Sequence, residues 1–246
     1  MVSKGAGSGD HVCWREEKKA RWMVSLSPRS LPIFPLNVVL FPHMQLPLRI
    51  FEPRYLEMVE DCVNDDSLFG VACIKHGPEV GGPALPYEVG TVARITGVEE
   101  QSPGLLHLKT VGEERFLIRR LIQGKPYLVG QVEPYPVTRV DAPEVGTLAD
   151  AELTLLAHYL ELLSYVGEMS LRVEQVPDNP EAMAYLIGAV LQVPLSVKQG
   201  LLAVPDLPTM LHRAAIILRS DIAALTMVLG GEMLRSQRPD TVFSKN

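Results

Sequence analysis

Apolar positions in the first half of the chain recur in short aliphatic runs at residues 68–75, 89–98, 105–110, 115–122 and 127–132, in the manner of strands. Between them lie Gly77-Pro78, Gly81-Gly82-Pro83, Ser102-Pro103-Gly104, Gly112 and Gly124-Lys125-Pro126, the residue types that turns require. Short strands at regular spacing, with no helices between them, predict a small antiparallel barrel. One helix interrupts the pattern. Pro53 suits a first helical turn. Tyr55, Leu56, Met58, Val59, Cys62 and Val63 then share a face opposite Arg54, Glu57, Glu60, Asp61 and Asn64. This helix is expected to cover or plug the barrel.

Residues 134–146, PYPVTRVDAPEVG, are proline-rich, and beyond them the apolar period becomes helical. A helix is predicted over 147–166, with Thr147, Asp150, Thr154, His158 and Glu161 in one narrow polar stripe, so it should be buried on most sides. Asn179 and Pro180 open a second helix, which Pro194 stops. Ser196 and Gln199 have the spacing of a capping box for a third. Asp206 caps a last helix that Gly230-Gly231 should end. The predicted fold class is α+β: an antiparallel pseudo-barrel with one covering helix, then a helical bundle. The expected organisation is a disordered tail over 1–28, a β-rich part over 29–136, a linker over 137–146, a helical part over 147–231 and a flexible tail over 232–246. Met23 is the expected natural start of the chain.

Residues 31–55, LPIFPLNVVLFPHMQLPLRIFEPRY, are apolar yet carry Pro32, Pro35, Pro42 and Pro47. Proline lacks a backbone donor and is confined to sheet edges and bends, so short edge strands joined by fixed bends are predicted. The run is too interrupted for a membrane span, which takes about 20 unbroken apolar residues. Phe34, Leu40, Phe41, His43 and Met44 stand under two readings. Either they close the barrel core, or the prolines hold an exposed edge open as a peptide-binding groove. Arg49, Glu52 and Arg54, with Arg115, are charges concentrated among apolar neighbours. Because a buried charge is costly unless paired, they are read first as a structural ion network seating the helix. The other reading is an anchor for a substrate's acidic group or C-terminus. The loop over 75–87, KHGPEVGGPALPY, is a second candidate for partner contact. The helix near 148–166 is a candidate homodimer face, with packing inside the chain the favoured account.

The 246-residue chain carries a net charge of −6, which argues against a nucleic-acid partner and against anionic membranes. Cys13, Cys62 and Cys73 are odd in number and have no C-x-x-C spacing, so neither a disulfide framework nor a cysteine metal site is expected. They suit a reducing, cytoplasmic setting. His43, His76, His107 and His158 show no H-E-x-x-H spacing, and His107 alternates with leucines as a solvent-facing strand residue would. No metal and no cofactor are expected.

The order of motifs carries further. LP-x-FPL at 31–36, VVLFP at 38–42, PLRIFEPRY at 47–55, FGV at 69–71, Gly90-Thr91, G-x-x-R-F at 112–116 and KQ-x-LL at 198–202 follow one another along the chain. Together they resemble the signature of the Lon substrate-binding domain family, the N-terminal module of Lon proteases. The resemblance covers roughly residues 31–229 and departs at Ala203 and Met210, where the family commonly has Glu and Arg. It implies a PUA-like barrel and non-catalytic recognition of peptide segments or of unfolded and damaged client proteins. It also implies an adaptor role in proteolysis, with an ATP-dependent protease as partner. No G-x-x-x-x-G-K-[ST] run occurs, and no counterpart of Lon's ATPase or Ser-Lys peptidase domain is read, so no catalytic residue is expected. Two other functions stay open at this point. One is hydrolase activity of the kind associated with ATP-dependent peptidases; the other is RNA binding, as in PUA-type barrels.

Overall fold

The computed structural model describes residues 29–65, 68–166 and 177–236. The expected N-terminal tail, with Met23, lies outside the described residues. The chain divides into two compact units, one comprising the residues through Leu40 with Gln45–Pro136, the other Phe41–Met44 with the residues from Val137.

The first unit contains β1 (Arg29–Leu36), β2 (Gln45–Ile50), α1 (Pro53–Asn64), β3 (Leu68–His76), β4 (Leu85–Pro86), β5 (Val89–Ser102), β6 (Leu105–Ile122) and β7 (Leu128–Pro134). β1 pairs with β7, β7 with β6, β6 with β5 and β5 with β3, all antiparallel. A parallel pairing of β3 with β1 then closes the ring. β1 is therefore no edge strand, contrary to the reading of its prolines. Its Arg29–Ile33 half lies against β7 and its Ile33–Leu36 half against β3. Each half keeps one open side, where a missing N–H breaks no ladder. Pro32 falls in the first half and Pro35 in the second.

The strands expected at 105–110 and 115–122 are one 18-residue strand, β6. Gly112 lies opposite Ala93 at a register shift, so it marks a bulge rather than a turn. The β5–β6 hairpin consequently runs beyond the closed ring, and β2 pairs along its outer part, from Gln45 opposite Val111 to Ile50 opposite Leu106.

The short glycine motifs meet inside the ring. Gly90 lies opposite Phe116, Thr91 opposite both Arg115 and Val71, and Gly70 opposite Val92. A Cβ on Gly70 would stand 2.7 Å from Phe116 Cζ and one on Gly90 2.6 Å from the same atom. Both glycines are bare because the buried Phe116 ring fills that space. Leu31, Ile33, Ala72, Val92, Ile118 and Val132 complete this core around it. Thr91 Oγ1 donates to the Leu40 carbonyl at 2.5 Å, which satisfies a buried hydroxyl.

α1 packs on β1 and β3, with the Tyr55 ring 4.3 Å from that of Phe34. Its buried face is narrower than predicted: Tyr55, Met58, Val59 and Cys62 are inside, whereas Val63 is 47% exposed. Burial pushes the Cys62 thiol up to about 12, so it stays protonated and inert. Asp61 ties the helix to the β6–β7 turn, accepting from Tyr127 Oη at 2.6 Å and from Lys125 Nζ at 3.0 Å.

The second unit contains α2 (Val145–Val166), α3 (Pro180–Val190), α4 (Leu195–Leu202) and α5 (Leu207–Ser236). Asn179 caps α3 by accepting from the amides of Glu181 and Ala182, and Asp206 caps α5 by accepting from the amide of Thr209. The predicted Ser196 cap is not formed. α4 starts at Leu195 behind Pro194, so Ser196 lies inside the helix. Gly230-Gly231 does not end α5, which continues to Ser236. Nor is 137–146 a free linker. Thr138 exchanges backbone hydrogen bonds with Pro205 and Leu207, at 2.9 and 3.0 Å, and Val137 and Val145 are buried.

α2 buries one face, Ala149, Leu156, Tyr159 and Leu163, and exposes Leu153 and Tyr165 at 43% and 69%. It is thus half-buried rather than enclosed. Tyr159 Oη donates to Asp221 and accepts from the amide of Gln192, linking α2, α5 and the α3–α4 turn. Glu152, outside the predicted polar stripe, is 1% exposed on this buried side. The KQ-x-LL motif is structural here: Lys198 Nζ donates to the Ala189 carbonyl near the end of α3, and Leu201 and Leu202 are buried.

Candidate functional site

The expected exposed apolar edge is not formed. Phe34, Leu40 and Phe41 are 5%, 1% and 0% exposed. Phe34 packs between the rings of Tyr55 and Phe69. Phe41 lies in the helical unit, where its ring covers Gly188 so closely that a Cβ there would stand 2.3 Å from Cζ. These three side chains close cores, and a helix glycine supplied the space that the strand count lacked. His43 and Met44 reach the surface. His43 has a φ of +67°, in the left-handed region, and its ring lies 6.5 Å from that of Tyr185.

The four charges read as one network divide: Glu52 and Arg54 pair, while Arg115 and Arg49 lie apart from them. Glu52 Oε2 accepts from Arg54 at 2.9 Å and from the Gly81 amide at 3.2 Å, while Arg54 donates to the Gly82 carbonyl at 3.2 Å. Asn37 donates from its amide and its side chain to Glu79. These contacts pin the 75–87 loop, the second candidate for partner contact. Arg115 is buried on β6 with its guanidinium 4.9 Å from the Tyr135 ring. Arg49 is exposed on β2, opposite His107.

Arg49 belongs to a different feature. β2, β6 and β5 lie side by side outside the closed ring, in matched rows. Arg49–His107–Glu99 forms one row, Leu48–Leu108–Val98 the next and Pro47–Lys109–Gly97 the third. Side chains alternate between the faces of a sheet, so the first and third rows stand on one face while the middle row points away. These three rows line a trough across the three strands. The concavity lined by these nine residues encloses about 650 Å³. Neighbouring strands are about 4.8 Å apart, so the trough accommodates roughly three residues of extended chain.

Its walls carry uncommitted polar groups. Arg49, Glu99 and Lys109 make no side-chain hydrogen bond or ion pair among the described residues. His107 is half-buried, and its Nε2 is screened from water without a hydrogen-bond partner there. Gly97 lowers one end of the wall, where the stem of Lys109 lies 3.6–3.9 Å from the position a Cβ would take. The alternation of His107 with leucines predicts a solvent-facing side chain, whereas the ring is half-buried with Nε2 screened from water. The juxtaposition with Arg49 and Glu99 could not be read, because it depends on the β2–β6–β5 register.

The profile of the "ATP-dependent protease La (LON) substrate-binding domain" matches residues 30–220. The chain belongs to the LON substrate-binding domain family. Among relatives of this LON domain, the Lon protease of Anaeromyxobacter dehalogenans is 30% identical over 245 residues, covering 96% of this chain and 29% of that protein. Lon protease 2 of Myxococcus xanthus is 30% identical over 221 residues, covering 86% of this chain and 27% of the relative. The chain therefore spans under a third of the length of the Lon proteases it matches. The Lon N-terminal domain protein from Xanthomonas campestris superposes with a TM-score of 0.55 at 29% identity, over 76% of this chain and 98% of its own. The N-terminal domain of the Mycobacterium avium complex Lon protease gives 0.58 at 18% identity, over 78% of this chain and 98% of its own, which shows the shared fold. Among the described residues of this LON domain, no helix is long and apolar enough to cross a membrane.

Proposed function

We propose that this chain recognises extended segments of unfolded or damaged proteins without cleaving them, as an adaptor to an ATP-dependent protease in a reducing, cytoplasmic setting. The observation that supports the reading is a trough about three residues long, on a sheet face, whose Arg49, Glu99 and Lys109 side chains make no hydrogen bond or ion pair among the described residues. The family's description as a substrate-binding domain points the same way. Binding rests on a few anchors rather than on total area, so affinity for one segment is modest. Pro47 interrupts the row of donors along β2, which favours a chain lying across the strands over one added to the edge. Hydrogen exchange with reduced, carboxymethylated casein tests the proposal. Casein should slow exchange along β2 and the outer half of β6, and the casein should stay intact with or without ATP. Nucleotide-dependent cleavage, or no protection of the trough, would overturn it.

A further inference from the structure

We infer that the trough holds its peptide through a carboxylate seated between Arg49 and Lys109. The inference rests on the protein-recognition reading and names the chemistry of the segment recognised. Arg49 stands in the first row and Lys109 in the third, and both line the trough. They are diagonal neighbours across the β2–β6 pair, about 7–8 Å apart at their bases; the stem of Lys109 lies over Gly97, and a carboxylate at Arg49 draws its flexible ammonium back across the trough. The guanidinium presents a planar fork matched to a carboxylate, and the ammonium adds a second charge-assisted donor. Neither is consumed by an internal ion pair among the described residues.

The distribution of charge also gives the trough a direction. Arg49 occupies the β2 end, His107 and Lys109 the centre, and Glu99 the β5 end. An anionic group is favoured at the first end and disfavoured at the last. A uniformly polyanionic strand would have to lie along Glu99, on a chain whose net charge is already −6. A short peptide with one carboxylate and apolar neighbours fits the polarity and the length. The carboxylate can come from an acidic side chain or from a chain's C-terminus.

The test is fluorescence anisotropy at low salt with a labelled, leucine-containing hexapeptide in four versions: aspartate or asparagine inside it, and a free or amidated C-terminus. Removal of the carboxylate that matters should weaken binding about tenfold, a change of about 1.4 kcal/mol, and identifies which source is read. R49Q and K109Q should each weaken the carboxylate-bearing peptide about five- to tenfold while leaving the asparagine, amidated version unchanged. R120Q, an exposed charge on β6 outside the trough, should leave all four unchanged. Both trough arginine and lysine are exposed, so the variants should retain native far-UV circular dichroism. Equal binding of all four peptides, unaffected by R49Q, overturns the carboxylate inference and leaves protein recognition standing. Failure of every peptide together with casein's failure to protect the trough overturns both. Preferential binding of labelled single-stranded RNA, lost in R49Q, also overturns both.

Discussion

Replacing Glu152 by glutamine should make the helical unit more stable at neutral and alkaline pH, and the gain should vanish in acid. The carboxyl is 1% exposed, and neither oxygen has a hydrogen-bond partner among the described residues. Burial raises its pKa from 4.5 to about 8, and the nearby Arg219 only partly opposes that rise. In the unfolded chain the group ionises near 4.5, while in the folded chain it keeps its proton to about pH 8. Below the lower value both states hold the proton, and the residue imposes no pH-linked penalty. As pH rises between the two values only the unfolded state gains by ionising, so stability falls, and above about 8 the loss is complete. At about 1.4 kcal/mol per pH unit, the span corresponds to a loss of up to roughly 5 kcal/mol. Relaxation around the charge makes about 3 kcal/mol a reasonable expectation. Urea unfolding followed by far-UV circular dichroism, for wild type and Glu152→Gln at acid and alkaline pH, isolates the effect. Every other titrating group cancels in the difference between the two proteins, as does the fixed cost of burying an amide. The variant's relative stability should therefore rise by about 3 kcal/mol across the interval. A difference that stays flat with pH within about 0.5 kcal/mol, or that moves the other way, would refute the assignment of a buried, protonated carboxyl.

Three further perturbations follow from packing. Phe41→Asp should abolish the native helical unit, because it places a charge where the ring is 0% exposed; a loss above about 4 kcal/mol is expected, and near-native melting would show that Phe41 is not core. Gly90→Ala should destabilise the barrel by about 2–4 kcal/mol in urea titrations, since its Cβ would stand 2.5 Å from the Val71 carbonyl oxygen and 2.6 Å from Phe116 Cζ; a neutral effect would mean the strand pairing there is looser than described. Glu52→Ala should cost only about 1 kcal/mol, because the pair with Arg54 is part-exposed at 16% and 25%. It should nevertheless speed proteolytic nicking of the 75–87 loop by freeing the Gly81 amide and Arg54, and unchanged nicking would show that the loop is held by other contacts.

Much of the architecture was legible because it is written in local chemistry. Alternating aliphatic runs marked most strands, Pro53, Asn179 and Asp206 marked helix starts, and the order of short motifs pointed to the family. Where local signals misled, a partner far along the chain decided. Gly112 looks like a turn until Ala93 is placed opposite it. Ser196 is the exception, decided locally: Pro194, two residues before it, opens the helix. Pro32 and Pro35 look like edge residues until the two halves of β1 find different neighbours.

The candidate site shows the same division more sharply. The apolar content of residues 31–55 was evident from the sequence, but whether Phe34, Leu40 and Phe41 face solvent depends on cavities that other segments supply. Gly188, 147 positions beyond Phe41 (188 − 41), provides one of them. Arg49 was singled out as a charge among apolar neighbours, yet its setting is built by strand register with His107, Glu99 and Lys109. A sequence specifies which side chains share a face of a strand, because alternation is a property of the backbone. Which of those faces is covered, and which charges find partners, is settled only when distant segments compete for the same space. Here that competition buried Phe34 and Phe41 and, among the described residues, left Arg49, Glu99 and Lys109 without a hydrogen bond or ion pair.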